Sequence, residues 1–109
     1  MTERESLLAA YRVLDLTEGG YLLAGKILGD LGADVIKVEP PGGSPSRNIG
    51  PFYRDNSEPG RSLFWFSYNT NKRSITLNIE TDEGKALFKR LVKGVDFLLN
   101  LLSRGTWKA

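Results

Sequence analysis

Leu28-Gly29-Asp30-Leu31-Gly32-Ala33-Asp34-Val35-Ile36-Lys37-Val38-Glu39-Pro40-Pro41-Gly42-Gly43 holds a helix end, a stop, a strand and an exit within sixteen residues. Leu23, Ile27 and Leu31 recur at helical spacing with Leu28 beside them, and Lys26 and Asp30 fall elsewhere, so an amphipathic helix leads into this stretch. Gly32 ends it, because a residue just past a helix commonly needs positive φ, which glycine adopts without steric cost. Val35 to Val38 then form a short, mostly β-branched strand. Pro40 and Pro41 cannot extend it, since neither has an N–H to donate. A helix feeding an apolar strand so quickly is the second half of a β-α-β unit.

The chain on either side fits that unit. Tyr11 to Thr17 reads as a first strand, with Val13, Leu14 and Leu16 as its apolar bulk, and Glu18-Gly19-Gly20 turns it into the helix. The two glycines serve either turn geometry or ligand binding. Binding is a live reading because ligands of open parallel sheets sit beyond the strands' carboxyl ends, beside helix N-termini. Residues 40–68 read as one long loop holding all five prolines, and connections of that length are uncommon unless functional or disordered. Phe52, Tyr53, Phe64, Trp65, Phe66 and Tyr68 argue for order there, as packing or as a docking surface. Asn69 to Arg73 is expected as a polar turn before a third strand, Ser74 to Ile79, whose Ile75, Leu77 and Ile79 share one face. Thr81 is the expected cap of a second helix running to Lys93, with Asp82 and Glu83 in its first turn. Gly94 repeats the stop of Gly32. Val95 to Leu99 is apolar enough for a central strand covered on both sides.

The fold class is therefore α/β: a partial Rossmann-like domain, ordered β-α-β-long loop-β-α-β around a mainly parallel sheet. Leu101 to Ala109 offers no evident stop, so residues 1–109 are expected to be the N-terminal part of something longer.

Composition narrows the chemistry. Fifteen Lys and Arg against thirteen Asp and Glu leave a net charge of +2, scattered rather than striped, which implies no nucleic-acid partner. Without cysteine or histidine there are no disulfides, thiolate metal sites or imidazole bases. No apolar run approaches a membrane span and the charged N-terminus lacks a signal-peptide core, so the expected compartment is the cytoplasm. The glycines at 19, 20, 25, 29 and 32 do not form G-x-G-x-x-G, although Glu39 stands where a dinucleotide fold keeps its ribose-binding carboxylate. No carboxylate pair, triad or metal cluster stands out, and Asp15 and Asp34 read as turn or cap residues.

Val13-Leu14-Asp15-Leu16-Thr17, Leu31 to Gly43, Asn71-Lys72-Arg73-Ser74-Ile75-Thr76-Leu77-Asn78 and Thr81-Asp82-Glu83-Gly84, at these spacings, resemble the N-terminal part of family III CoA-transferases of the formyl-CoA and carnitine CoA-transferase type. The resemblance implies a Rossmann-like large domain, an interlocked homodimer for the full-length protein, and acyl-CoA and a carboxylic acid as substrates. It also implies transfer through an aspartyl anhydride and thioester. The nucleophilic aspartate lies beyond this chain, so no residue here is a catalytic candidate, no cofactor is held covalently, and a second chain or missing C-terminal portion is required. What the chain inherits is part of a CoA pocket: Glu18, Gly19, Gly20 and Tyr21; Leu77 and Asn78; and Asn100 and Leu101 within the loop reaching Gly105. Lys72 and Arg73 are added as possible phosphate partners, with a turn role as the alternative. Departures from the family pattern are a shortened turn at Glu18 to Tyr21, Pro40 in place of a basic residue, and Asn100-Leu101-Leu102 in place of Glu-Asn-Phe. The alternatives are an acyl-CoA racemase of the same superfamily and a non-catalytic CoA-binding or assembly module.

Overall fold

A computed structural model describes residues 7–55 and 60–100. Strand β1 (Arg12–Asp15) leads through a 3-10 turn at Gly19–Tyr21 into helix α1 (Leu22–Asp30), and strand β2 (Asp34–Glu39) follows. The stop at Gly32 forms as its sequence requires. Gly32 has φ +108°, its N–H donates to the Gly29 carbonyl at 2.9 Å, and the Ala33 N–H reaches back to Leu28 at 3.0 Å. That pair of bonds is a Schellman closure, which satisfies the last helix carbonyls and turns the chain into β2.

The region 40–68 is more regular than its prolines imply. It holds 3-10 turns at Pro45–Asn48 and Tyr53–Asp55 and a short helix, α2 (Leu63–Asn69). Ser62 caps α2 by accepting the Trp65 N–H at 3.0 Å, and its hydroxyl donates to the Ile49 carbonyl at 2.6 Å. Strand β3 (Lys72–Thr76) begins two residues earlier than expected, so Lys72 and Arg73 belong to a strand and not to a turn. Helix α3 (Asp82–Val92) has the expected Thr81 cap, whose hydroxyl accepts the Gly84 N–H at 3.0 Å. Gly94 does not repeat the Gly32 geometry, being absent from the positive-φ glycines. Strand β4 (Phe97–Leu99) closes the described part.

The strands form one all-parallel sheet in the order β3-β2-β1-β4. Val13 lies opposite both Val35 and Phe97, and Val35 lies opposite Lys72. Alternation then sorts the faces. Leu14, Ile36 and Val38 pack with Phe88 of α3, joined by Leu16, Ile75, Leu77, Ile79, Leu91 and Val95. Val13, Ala33 and Val35 face the other way with Leu28 of α1, Leu8 and Leu99. Among the described strands β4 is an edge and not a centre, and Phe97 keeps 52% of its surface.

Helix α1 turns a different side inward from the one its apolar periodicity suggests. Leu23, Ile27 and Leu31 are 47%, 50% and 41% exposed, whereas Leu22 and Gly25 are buried. The reason is a close approach. A Cβ at Gly25 would stand 2.4 Å from Asp15 Oδ2 and 3.0 Å from Lys72 Cε, and one at Gly29 would stand 2.7 Å from Asn71 Nδ2. Glycine is what lets the helix axis come down onto the polar groups beneath it. No helix among the described residues is long and apolar enough to cross a membrane.

Candidate functional site

In a sheet ordered β3-β2-β1-β4 the strand order reverses between β1 and β4, and it is in the crevice beyond the carboxyl ends at such a switch point that open parallel sheets bind their ligands. The turn after β1 and the residue after β4 flank that crevice. Four residues of the turn, Glu18 to Tyr21, are site candidates, and they divide into two pairs.

Glu18 and Gly19 are anchored inward. The Glu18 carboxylate accepts hydrogen bonds from the Ser44 hydroxyl and, at 2.6 Å, from the Ser46 hydroxyl, and Lys37 Nζ stands 3.7 Å away. Ser46 Oγ in turn accepts the Gly19 N–H at 2.8 Å, and Gly19 takes φ +59°. Gly20 and Tyr21 face outward. Nothing lies within 4 Å of a Cβ placed on Gly20, and Tyr21 is 66% exposed. The outer half of the turn can therefore offer a backbone N–H at Gly20 and an aromatic face at Tyr21 to a ligand in the crevice, beside the start of α1.

The anchoring belongs to a larger network on the α1 face of the sheet. Odd-numbered positions put Asp15 of β1 and Lys37 and Glu39 of β2 on that face, all buried. Lys37 Nζ donates to the Thr17 carbonyl at 2.6 Å, tying the end of β1 to β2. Asp15 Oδ1 accepts the Thr17 N–H and hydroxyl at 2.8 and 2.6 Å, and its Oδ2 takes Lys72 Nζ at 2.7 Å. Lys72 also donates to the Leu22 carbonyl at 2.9 Å. Burial pushes the Lys72 pKa below its usual value, with the bond to Asp15 opposing the shift. Glu39 is held by Arg47 through two bonds of 2.6 and 2.9 Å, by the Ser74 hydroxyl, and by the Ser44 N–H at 2.8 Å. Burial alone would raise the Glu39 pKa, but these donors and the Arg47 charge bring it down to about 2. Glu39 is thus committed to the fold and leaves no carboxylate for a ribose.

The remaining candidates lie along the rest of the carboxyl edge, apart from the two cations. Leu77 extends the β2–β3 ladder, its N–H reaching the Glu39 carbonyl at 2.9 Å, and it packs on the α3 side. The Asn78 side chain accepts the Glu80 N–H at 3.0 Å, and its carbonyl would meet a Cβ on Gly84 at 1.6 Å. Both follow β3, which stands two strands from β1, so they do not join the turn at one point. Asn100 follows β4 next to the turn, and Leu101 and the loop to Gly105 lie outside the described residues. Lys72 begins β3 and is spent on Asp15, and Arg73 is exposed but paired with Asp34 at 2.7 and 3.0 Å. Asp34 also takes Arg12 at 3.0 Å. Burial raises its pKa, and the two guanidiniums together bring it below the usual carboxylate value.

Sequence reading passes over Lys37, Ser44, Ser46 and Arg47, which hold Glu18 and Glu39 in place. The signal for them is present: Lys37 and Glu39 recur with period two inside a buried strand, and buried charges demand partners close by. Among the described residues no cluster of three or more metal-ligating side chains occurs.

Comparison with known proteins agrees with this architecture. Residues 8–109 match the sequence model of CoA-transferase family III. The chain is 46% identical over 99 residues to a succinyl-CoA–D-citramalate CoA-transferase of Chloroflexus aurantiacus, covering 87% of this chain and 23% of that protein. It is 42% identical over 99 residues to a succinyl-CoA:mesaconate CoA-transferase of Haloarcula marismortui, covering 87% and 24%. Its fold superposes on the crystal structure of Rv3272 from Mycobacterium tuberculosis with a TM-score of 0.79 and 36% identity, over 93% of this chain and 27% of that one. The chain thus spans about a quarter of the length of the relatives it matches. With a Rossmann-like half-sheet, a turn poised at its switch point and a profile matched over nearly all its residues, this chain belongs to CoA-transferase family III.

Proposed function

We propose that the chain is the N-terminal part of the large domain of a CoA-transferase, which moves CoA from an acyl-CoA to a carboxylic acid. The observation that carries this reading is the crevice between β1 and β4, where Gly20 and Tyr21 stand open beside the first turn of α1. There the open Gly20 N–H suits a phosphate and the tyrosine ring suits a planar base. Gly20, Tyr21 and Asn100 form the central contacts, and Leu77 and Asn78 lie farther along the same edge. Glu18 holds the turn from behind. Lys72 and Arg73, both engaged in ion pairs, contribute through the fold in preference to direct contact.

The chemistry follows the family. An aspartate supplied by the remaining three-quarters of the fold attacks the thioester carbonyl, expelling CoA thiolate and leaving a mixed anhydride. The thiolate attacks the aspartyl carbonyl, releasing the donor acid and forming an aspartyl thioester. The acceptor carboxylate then displaces CoA, which attacks the acceptor carbonyl of the second anhydride and regenerates the aspartate. This chain binds and orients CoA in that sequence and does not turn over alone. A homodimer of the completed protein and a cytoplasmic location, where CoA thioesters are available, belong to the same proposal.

The test is a chimera in which this chain replaces the matching segment of the Chloroflexus aurantiacus relative. Succinyl-CoA-dependent transfer by the chimera is the expected result. A folded chimera that neither transfers nor binds CoA overturns the proposal, and α-proton exchange without CoA exchange assigns the racemase alternative instead.

A further inference from the structure

The turn from Thr17 to Leu22 is held at both ends by buried charges. Asp15 accepts both donors of Thr17, Lys37 donates to the Thr17 carbonyl, and Lys72 donates to the Leu22 carbonyl. Between those ends lie Gly19 and Gly20, which have no side chains to fix them and the widest backbone freedom of any residue. The bond that sets Gly19 comes from outside the turn. Ser46 Oγ accepts the Gly19 N–H at 2.8 Å and donates to Glu18 Oε1 at 2.6 Å, so one hydroxyl ties down two consecutive residues.

Ser46 is itself firmly placed. It is 2% exposed, and its N–H donates to Ser44 Oγ at 3.3 Å. On either side of it the Ser44 N–H and the Arg47 guanidinium both bond Glu39, at 2.8 and 2.6 Å. The hydroxyl is therefore presented from a turn clamped to the end of β2, and it cannot follow the glycines if they move. Ser46 belongs to neither hydrophobic cluster, so its contribution is made through these bonds.

Holding Gly19 has a consequence one residue on. With its N–H drawn inward and φ held at +59°, the peptide plane that carries the Gly20 N–H is fixed as well. We propose that Ser46 is a positioning residue for CoA. It touches no ligand, and it acts by holding Gly19 so that the open Gly20 N–H and Tyr21 meet CoA already in place. The inference rests on the reading of this turn as a CoA contact. Without the hydroxyl the two glycines regain their backbone freedom, and the ligand has to order them as it binds.

The test compares Ser46→Ala, Ser46→Cys and Ser62→Ala in the chimera and in the full chain. Ser62 is the control: it is 1% exposed and its hydroxyl also donates once and accepts once, but to Ile49 and from Trp65, neither of them in the turn. By calorimetry on the chimera, Ser46→Ala is expected to weaken CoA binding about tenfold and Ser62→Ala to change it less than about twofold. Ser46→Cys, a weak donor and acceptor of similar size, gives a loss between the parent and the alanine variant. In the full chain, amide exchange followed by NMR is expected to quicken at Gly19 by about tenfold relative to the β2 amides in Ser46→Ala, and to keep its ratio in Ser62→Ala. If Ser46→Ala does not fold, Ser46→Cys carries both measurements. A parent chimera that binds no CoA overturns the reading of the turn, and this inference with it. A parent that binds CoA, with Ser46→Ala or Ser46→Cys weakened no more than Ser62→Ala, overturns the inference alone, as does an unaltered exchange ratio at Gly19.

Discussion

Gly25→Ala sets two well-known effects against each other, and the geometry decides between them. In an exposed helix interior, replacing glycine by alanine stabilises by about 1 kcal/mol. Here the new Cβ would stand 2.4 Å from Asp15 Oδ2, 3.0 Å from Lys72 Cε and 3.1 Å from Lys72 Nζ. Those side chains have no room to swing aside. Asp15 and Lys72 keep 0% and 1% side-chain exposure, Asp15 is held by both donors of Thr17, and Lys72 is held by Leu22 of the same helix. Either α1 lifts, opening a buried ion pair whose loss costs about 3–5 kcal/mol when complete, or the core is overpacked at about 1–3 kcal/mol. After the helix-propensity gain the net loss is about 2–4 kcal/mol where α1 lifts and up to about 2 kcal/mol where the core is overpacked. With a urea m-value of about 1.5 kcal/mol per molar, the unfolding midpoint falls by about 1.3–2.7 M in the first case and by up to about 1.3 M in the second. Urea melts of the two proteins, with Gly20→Ala as the control in open space, make the comparison. A Gly25→Ala protein stabilised by the roughly 1 kcal/mol of an open helix position refutes the claim that glycine is there for close approach.

Three further outcomes follow from the same contacts. Glu39 has a folded-state pKa of about 2 against an ordinary value of 4.5, so it stabilises above the ordinary value and that stability is lost as pH falls from about 4.5 through about 2. Glu39→Gln is expected to flatten the acid limb of the stability–pH curve in that window, read by thermal melts. Lys72→Met leaves Asp15 buried and unpaired and lowers stability by about 3–5 kcal/mol; adding Asp15→Leu recovers much of it, and a double-mutant cycle in urea measures the coupling. Tyr21→Ala, at an exposed position, changes stability by less than about 0.5 kcal/mol. In the chimera it weakens CoA binding by about tenfold by calorimetry, the loss expected for one aromatic stack.

The elements that act through backbone rules are the ones the sequence makes legible. Gly32 ending α1, Pro40 ending β2, Thr81 capping α3 and the alternation of Ile75, Leu77 and Ile79 each report a local constraint, and each appears in the structure. Tertiary effects are less visible. Counting apolar residues in α1 favours the Leu23, Ile27 and Leu31 stripe, because a helix face defined by glycine has no hydrophobic signature. Helix α2 is only seven residues long, too short for a period to emerge from its aromatic run. The apolar run of β4 reads as a centre strand, yet β4 borders only β1 among the described strands. At the candidate site, position could be read from the order of elements. The inward anchoring of Glu18 could not, since it depends on Ser44 and Ser46, 26 and 28 residues away.

The seating of α1 on the Asp15–Lys72 pair also bears on how this chain can change over time. Position 25 accepts a larger residue only after the pair below it has given way to something smaller. The pair, in turn, can be dismantled only as a unit, because either member alone is left charged and buried. Three positions spread over 57 residues therefore form one evolutionary unit, in which the order of substitutions decides whether each intermediate folds. Such sign epistasis predicts that homologues vary at 15 and 72 together, and at 25 only where both of those have changed.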